Sequence, residues 1–478
     1  MLITRDIINK DIVFYDYDHK FNKTQYDYVK LSAKIDFFKN FLMYKNCKKG
    51  ESILIGFAAS IEQIALFFAA AELGLSVIVA DYKILDNEEY IGFLDTKTKI
   101  LMPITYFIGF NDSGTDDEAV RKHLFYSDVC DNVFTYKDLQ NYHNYDNNDI
   151  IIADKNDILL KCTSSGTTGT PKKVEHSHEF LYNISKRNST FFDGHVALLF
   201  NLNHGSSLAT YFLPSLMSPN VKEFTNGSSQ QNYKGENNVN IWTKVLNKCN
   251  HLMIPYTEIL EQFLLGFNFP EMTYYTLSPI QKNMTTDKMK SRYKDIMSFF
   301  GCNETSGPIF INKASYDDFQ VNVYRKIDDY YNIESIDPLI VNLKEYRISI
   351  NTQDAFEKKD LTGFTFFGRR NLMRVNGLEV FKKYEEFVNF DADLIYDSVY
   401  NEIYLAAWVR LGKKEFEEEE LIKKISEINK KMHSMSGGSH KITKFKFLKR
   451  YHFTLGVKID HEFLRSYFRE KVENNVEV

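Results

Sequence analysis

The feature that most narrows the folding options is the stretch KCTSSGTTGTPKK at residues 161–173. A short apolar run, Ile158, Leu159 and Leu160, leads into it and ends abruptly in Ser, Thr and Gly, then Pro and Lys. Such a lead-in predicts a buried strand. The residues that follow suit an anion. Ser164, Ser165, Thr167 and Thr168 carry hydroxyls, and Gly166 and Gly169 let backbone N–H groups turn inward with no Cβ in the way. Lys172 adds a full positive charge. The stretch reads as a phosphate loop. Its spacing is not that of a Walker loop, in which four residues separate the glycines and Lys follows the second directly, so an ordinary P-loop nucleoside triphosphatase is disfavoured.

The chain has 478 residues, enough for about two to four domains. Its hydrophobic content of 44%, with 39 Phe and 30 Tyr, supplies a large core and argues against wholesale disorder. A net charge of −5 gives no electrostatic footprint for nucleic acid, and no such partner is expected. The start, Met1-Leu2-Ile3-Thr4-Arg5-Asp6, lacks the basic opening and long apolar run of a secretory signal. No stretch reaches the roughly 18 apolar residues of a membrane span; residues 64–79 come nearest, but Glu72 interrupts them and Gly74 ends their helical part. The cysteines, Cys47, Cys130, Cys162, Cys249 and Cys302, are scattered without a CxxC pair, which fits reduced thiols in a cytoplasmic protein and lends a zinc site little support.

Residues 23–46 predict an amphipathic helix, with Tyr28, Leu31, Ile35, Phe38, Leu42 and Tyr44 near helical spacing. Residues 52–58 predict a strand, 60–73 an apolar helix closed by Gly74, and 76–80 a second strand. Strand, helix and strand with short connections form the βαβ unit of a parallel sheet, so the fold class is α/β. Residues 110–118 and 141–157 read as polar surface loops, 198–203 as a buried strand and 218–240 as a long polar loop. Further strands are expected near 251–255 and 274–278. The last part, 378–478, reads as a small α+β domain in which 413–420 open a solvated helix and 434–440 form a Gly/Ser loop.

The loop Ser164-Ser165-Gly166-Thr167-Thr168-Gly169-Thr170-Pro171-Lys172 closely resembles the signature loop of the adenylate-forming superfamily: acyl- and aryl-CoA synthetases, peptide-synthetase adenylation domains and luciferases. Further motifs of that family follow in order. His178 falls where the family usually has a His at the start of a helix, although a capping or packing role is an equal reading. The segment His204-Gly205-Ser206-Ser207 resembles one wall of the acyl pocket and makes His204 a catalytic candidate. Amino-acid-activating relatives place an Asp near there to pair with the substrate ammonium, because a buried cation needs a fixed counter-charge; residues 201–209 hold none, which favours an uncharged acyl or aryl acid. Where the family has a Gly-Gly turn against the adenine, this chain reads Thr276-Leu277-Ser278-Pro279.

Phe300-Gly301-Cys302-Asn303-Glu304 resembles the family's Tyr-Gly-x-Thr-Glu. The resemblance implies that Phe300 flanks the adenine with Gly301 beside it, that Asn303 contacts the α-phosphate and that Glu304 holds Mg2+. Asn351-Thr352-Gln353-Asp354 resembles the Thr-Gly-Asp whose Asp takes both ribose hydroxyls, a diol that a carboxylate can hold with two oxygens. Phe366-Phe367-Gly368-Arg369 resembles the strand whose Arg also reaches the ribose. Beyond it, Asn371 stands at the hinge, one residue nearer the following glycine than is usual, and Gly377 matches the glycine of the thiol tunnel. Phe453-Thr454-Leu455-Gly456-Val457-Lys458-Ile459-Asp460 resembles the segment carrying the catalytic Lys, here Lys458.

The fold so implied is a large amino-terminal domain of parallel-sheet αβ subdomains, 1–370, holding the ATP and acyl pocket, plus a small mobile carboxy-terminal α+β lid, 371–478, carrying Lys458. The activity implied is attack of a small carboxylic acid on the α-phosphorus of ATP with pyrophosphate release, helped by Mg2+, Lys458, Glu304, Lys172 and the hydroxyls of Thr167 and Thr168. A thiol then takes the acyl group, either coenzyme A or the phosphopantetheine of a carrier protein, after the lid swings about the hinge. An amide ligase passing the acyl group to an amine, and a catalytically impaired nucleotide-binding relative, are the alternatives.

Overall fold

The computed structural model describes residues 1–17, 23–56, 60–78, 104–109, 130–134, 138–139, 142, 152–163, 173–198, 208–226, 243, 245–254, 260, 263–264, 269–277, 280, 291–315, 323–337, 339–343, 348–352, 354–359, 363–369, 392–397, 402–408, 418–436, 442–448 and 461–472. These divide into two compact units, drawn from residues 1–329 and 330–478. The domain boundary expected at 370/371 falls among residues outside the described ones.

The first unit contains two sheets. One has the strand order Cys130–Phe134, Ile104–Gly109, Ser52–Gly56, Ser76–Ile78, Ile158–Thr163 and Lys173–Ser177. All neighbours in it run parallel except the last pair, which forms an antiparallel hairpin. The expected βαβ unit is its centre, Ser52–Gly56, helix Ile61–Glu72 and Ser76–Ile78. Ser60 caps the helix by accepting from the Gln63 N–H at 3.2 Å, and Gly74 ends it with φ +69°, a left-handed backbone that Gly adopts at no steric cost.

That helix is buried on every face, so its Glu72, 1% exposed, needs partners. Arg5 supplies a two-pronged contact, Nε to Oε1 and Nη2 to Oε2, both at 2.7 Å, and Lys39 Nζ adds a third at 3.3 Å. The acidic residue that interrupts the apolar stretch is therefore the anchor of the amino-terminal segment.

In the other sheet the strands run in the order Val323–Lys326, Gly307–Ser315, Asp295–Cys302, Thr273–Thr276, His251–Met253, Gly194–Leu198, Val221–Asn226, Val13–Tyr17 and Lys23–Tyr26. The central six are parallel and both ends turn antiparallel. This sheet departs from the sequence expectation at two places. Residues 23–26 are not helical; they pair with Val13–Tyr17, and the helix, Tyr28–Tyr44, starts after Asp27, whose carboxylate caps the Lys30 N–H at 2.8 Å. Residues 218–240 are not one long loop, because Val221–Asn226 is an interior strand with Val221, Phe224 and Thr225 fully buried. Flanking Ser and Asn residues hide that short alternation in the composition.

The second unit contains the antiparallel sheet Asn332–Ile336, Leu339–Leu343 and Ile348–Asn351 and the hairpin Asp354–Lys358 with Gly363–Arg369. It also contains Ala392–Asp397, Glu402–Trp408 and Ile442–Leu448, with helices Glu418–Ser436 and His461–Lys471. Ile395, Tyr404 and Ala406 pack against Leu464, Phe468 and Val472 in one apolar cluster. Residues 434–436, expected in a Gly/Ser loop, are helical instead, at the end of Glu418–Ser436, and the rest of that stretch lies outside the described residues.

Candidate functional site

The hairpin Ile158–Thr163 with Lys173–Ser177 holds the two ends of the phosphate-loop stretch as direct neighbours, Thr163 opposite Lys173 and Cys162 opposite Val174. Leu159 and Leu160 are fully buried, as the apolar lead-in predicts. Ser164, Ser165, Gly166, Thr167, Thr168, Gly169 and Lys172 lie outside the described residues, as do His204, Asn371, Gly377 and Lys458.

Across the unit, strand Asp295–Cys302 runs into a tight turn and returns as Gly307–Ser315. The turn is tied to itself. Thr305 Oγ1 accepts from the Cys302 N–H at 3.1 Å, and the Ser306 N–H donates to the Cys302 carbonyl at 3.1 Å. The thinness of the turn explains Gly301, where a Cβ would lie 2.5 Å from the Gly307 carbonyl oxygen. Phe299 and Phe300 face opposite sides of the strand. Phe299 is buried against Phe191, Tyr211 and Tyr275, while half-buried Phe300 lies beside Phe310 and Tyr324. Asn303 and Glu304 sit at the head of the turn, partly exposed.

His176, on the returning strand of the hairpin, joins these two motifs. Its Nε2 lies 2.6 Å from the Asn303 carbonyl oxygen, a bond between residues 127 apart in the chain. A carbonyl only accepts, so Nε2 carries the proton and donates. The ring is stacked on Phe180, centroids 4.8 Å apart, and burial pulls its pKa down to about 4, which keeps it neutral near pH 7. The Glu304 carboxylate is near enough to raise His176 slightly, and it adds to the burial that pushes the Cys162 thiol up. The loop-bearing hairpin and the Glu304 turn thus share one corner of the first unit.

His178 stands at the first position of helix His178–Asn188 and is fully buried, with Ser177 as the cap. Its Nδ1 accepts from the Ile3 N–H at 3.2 Å, and burial lowers its pKa to about 4. It packs the amino-terminal segment onto the helix. In the second unit, the register of Asp354–Lys358 against Gly363–Arg369 puts Asp354 directly opposite Arg369, so the two residues assigned to the ribose are cross-strand partners.

Sequence reasoning missed His176. The signal was present in KVEHS, where Val174 and His176 alternate inward around exposed Glu175, the period of a half-buried strand. Among the described residues, no three His, Cys, Asp or Glu side chains group as a metal cage.

Residues 9–218 match the AMP-binding enzyme family. Solved structures of adenylate-forming enzymes are similar to this chain. The structure of McyG A-PCP complexed with phenylalanyl-adenylate matches with a TM-score of 0.74 at 14% identity, covering 98% of this chain and 96% of that one. A structure from work on fatty acyl-adenylate ligases of E. coli and L. pneumophila matches with 0.74 at 13% identity and 98% coverage of both chains. O-succinylbenzoate coenzyme A synthetase from Bacillus subtilis in complex with AMP matches with 0.70 at 14% identity, covering 100% of this chain and 98% of that one. No curated protein matches the sequence. The chain therefore has the fold of the adenylate-forming enzymes.

Proposed function

We propose that this chain, with its adenylate-forming fold and an amino-terminal part matching AMP-binding enzymes, activates a carboxylic acid with ATP, releasing pyrophosphate and forming an acyl-adenylate. The observation that carries the reading is the 2.6 Å bond from His176 to Asn303, which ties the hairpin of the Ser/Thr/Gly loop to the turn bearing Glu304. The hairpin that flanks one motif and the turn of the other, distant in sequence, lie side by side. The pairing of Asp354 with Arg369 supports a ribose site of one carboxylate and one guanidinium.

The donor set at the turn suits Mg2+, since this ion is usually held by one or two carboxylates together with substrate phosphates rather than by an all-protein cage. Glu304 would hold it, and bound Mg2+ supplies neutralisation of the phosphate charge. The chain's own residues do the rest. Backbone N–H groups of 164–169, with Thr167, Thr168 and Lys172, hold the departing pyrophosphate; Lys458 bridges the acid and the α-phosphate; Phe300 and Gly301 border the base; Asn303 faces the α-phosphate. Such a reaction asks mainly for alignment and fixed positive charge. Residues 1–370 are taken as the adenylating body and 371–478 as the small domain with Lys458; the separate core of Ile395, Tyr404 and Leu464 supports the latter. The absence of an acid between 201 and 209 favours an uncharged acyl or aryl acid, with His204 at the pocket wall. A thiol is the proposed acceptor, coenzyme A or a carrier-protein pantetheine.

Acid-dependent exchange of pyrophosphate into ATP tests this, run over aliphatic, aryl and amino acids. Exchange with one acid class, and coenzyme A-stimulated AMP release, is the expected result. Exchange with no acid, despite ATP binding, would overturn the reading, and AMP release driven only by amines would replace the thiol with an amine acceptor.

A further inference from the structure

We infer that His176 is a positioning residue that sets the Glu304 turn against the loop-bearing hairpin, and through it the affinity of the enzyme for the Mg2+ complex of ATP. The inference rests on the proposed function and adds to it a residue outside the motifs that suggested that function.

Three features single His176 out. It sits in the hairpin strand directly opposite Leu160, so its backbone is fixed by the same ladder that holds the loop ends. Its ring is fixed as well, stacked within 13° of parallel on Phe180, which belongs to the helix that the hairpin feeds. Both χ angles are thereby determined before the turn is met. Finally, its donated hydrogen bond goes to the carbonyl of Asn303, the residue immediately before Glu304. The turn's internal bonds, from Thr305 and Ser306 to Cys302, fix its shape but not its orientation toward the hairpin. The His176 bond adds that orientation at the head of the turn, next to Glu304, while Arg187 Nη1, 2.9 Å from the Pro308 carbonyl, holds the start of the returning strand. Outer partners that orient a carboxylate ligand typically govern metal affinity by about 10–100-fold.

The experiment compares wild type, His176→Leu and His176→Gln in ATP binding by calorimetry, with Mg2+ varied and with Mg2+ removed by a chelator, together with their unfolding midpoints. Leu keeps apolar packing on Phe180 and loses the donor. Gln places an amide N–H close to the position of Nε2. The expected result is that His176→Leu needs about tenfold more Mg2+ for half-maximal ATP binding, while His176→Gln returns to within about threefold of wild type. ATP affinity without Mg2+ should be the same in all three. If His176→Leu does not fold, His176→Asn, whose amide is too short to reach, replaces it with the same expectation. Equal Mg2+ dependence in wild type and the donor-less variant, or no recovery with Gln, would overturn the inference while leaving the function intact. Wild type that binds ATP with no response to Mg2+ would instead remove the function reading itself.

Discussion

Two places in the first unit join distant parts of the chain through buried polar groups, and they do so with opposite chemistry. At the amino-terminal anchor, Glu72, 1% exposed, is held by Arg5 and Lys39, a cluster of full charges. At the candidate site a neutral imidazole, His176, gives one proton to one carbonyl. A buried charge cluster is costly to assemble and very costly to break, because removing one member strands the others. A neutral bond costs little either way and chiefly fixes an orientation. The contrast teaches which contact to expect in stability and which in binding.

The largest effect should come from the anchor. Glu72→Ala leaves the cations of Arg5 and Lys39 with the half-exposed Asp36 as their remaining carboxylate partner and should destabilise the protein by about 3 kcal/mol in denaturant titration. A loss below about 1 kcal/mol would show that solvent or the Asp36 carboxylate, 2.7 Å from Arg5 Nη2, takes over the role of Glu72.

Next in size is the pH dependence, which both places share. His176 and His178 have pKa values pulled by burial from 6.5 to about 4, so the unfolded chain binds their protons first. Their stabilising contribution is complete above pH 6.5 and is lost as pH falls toward 4, by up to about 3 kcal/mol each. Asp16 acts the other way. Burial, together with nearby Glu62, raises it from 3.8 to about 6, so its contribution falls as pH rises across that range. His195, likewise pulled to about 4 by burial, and His251, also lowered, act with His176 and His178 against Asp16, so stability rises from pH 4 to pH 6.5. The slope should shrink by about a third to a half in His176→Gln, measured by unfolding midpoints, and an unchanged slope would contradict the burial of that ring.

A smaller effect is expected at the turn. Gly301→Ala drives a Cβ against the Gly307 carbonyl and should lower stability by about 1–3 kcal/mol while weakening ATP binding. Loss of stability with ATP binding intact would separate the turn from the nucleotide. The smallest effect is a gain. Ser306 adopts φ +50°, and among the described residues its buried Oγ meets no hydrogen-bond partner. Ser306→Gly relieves both and should add about 1 kcal/mol in the same titration.

Much of the first unit was legible in the residues, for local reasons. Ser60 and Gly74 bracket a helix by capping and left-handed backbone, and Ile158–Leu160 are apolar because their strand is interior. Gly301 was legible as part of a motif, and its physical reason, the close Gly307 carbonyl, emerges only in three dimensions. Strand Val221–Asn226 was not legible, since it is short and enclosed by polar neighbours, and Lys23–Tyr26 was absorbed into the helical spacing that follows it. His176 escaped because its partner is a backbone carbonyl 127 residues away, and no side-chain pattern marks a carbonyl. The cross-strand register of Asp354 and Arg369 was not legible either, since the order of two motifs says nothing of which residues face each other across a hairpin.

The most direct test of adenylation follows an oxygen atom. With an acid labelled with heavy oxygen in its carboxylate, the attack on the α-phosphorus and later loss of the acyl group to a thiol leaves one acid oxygen on AMP. Heavy oxygen is expected in AMP, read by mass spectrometry, for every acid that supports pyrophosphate release, and no labelled AMP from Lys458→Ala. Unlabelled AMP or ADP, formed at the same rate without the acid, would contradict adenylation.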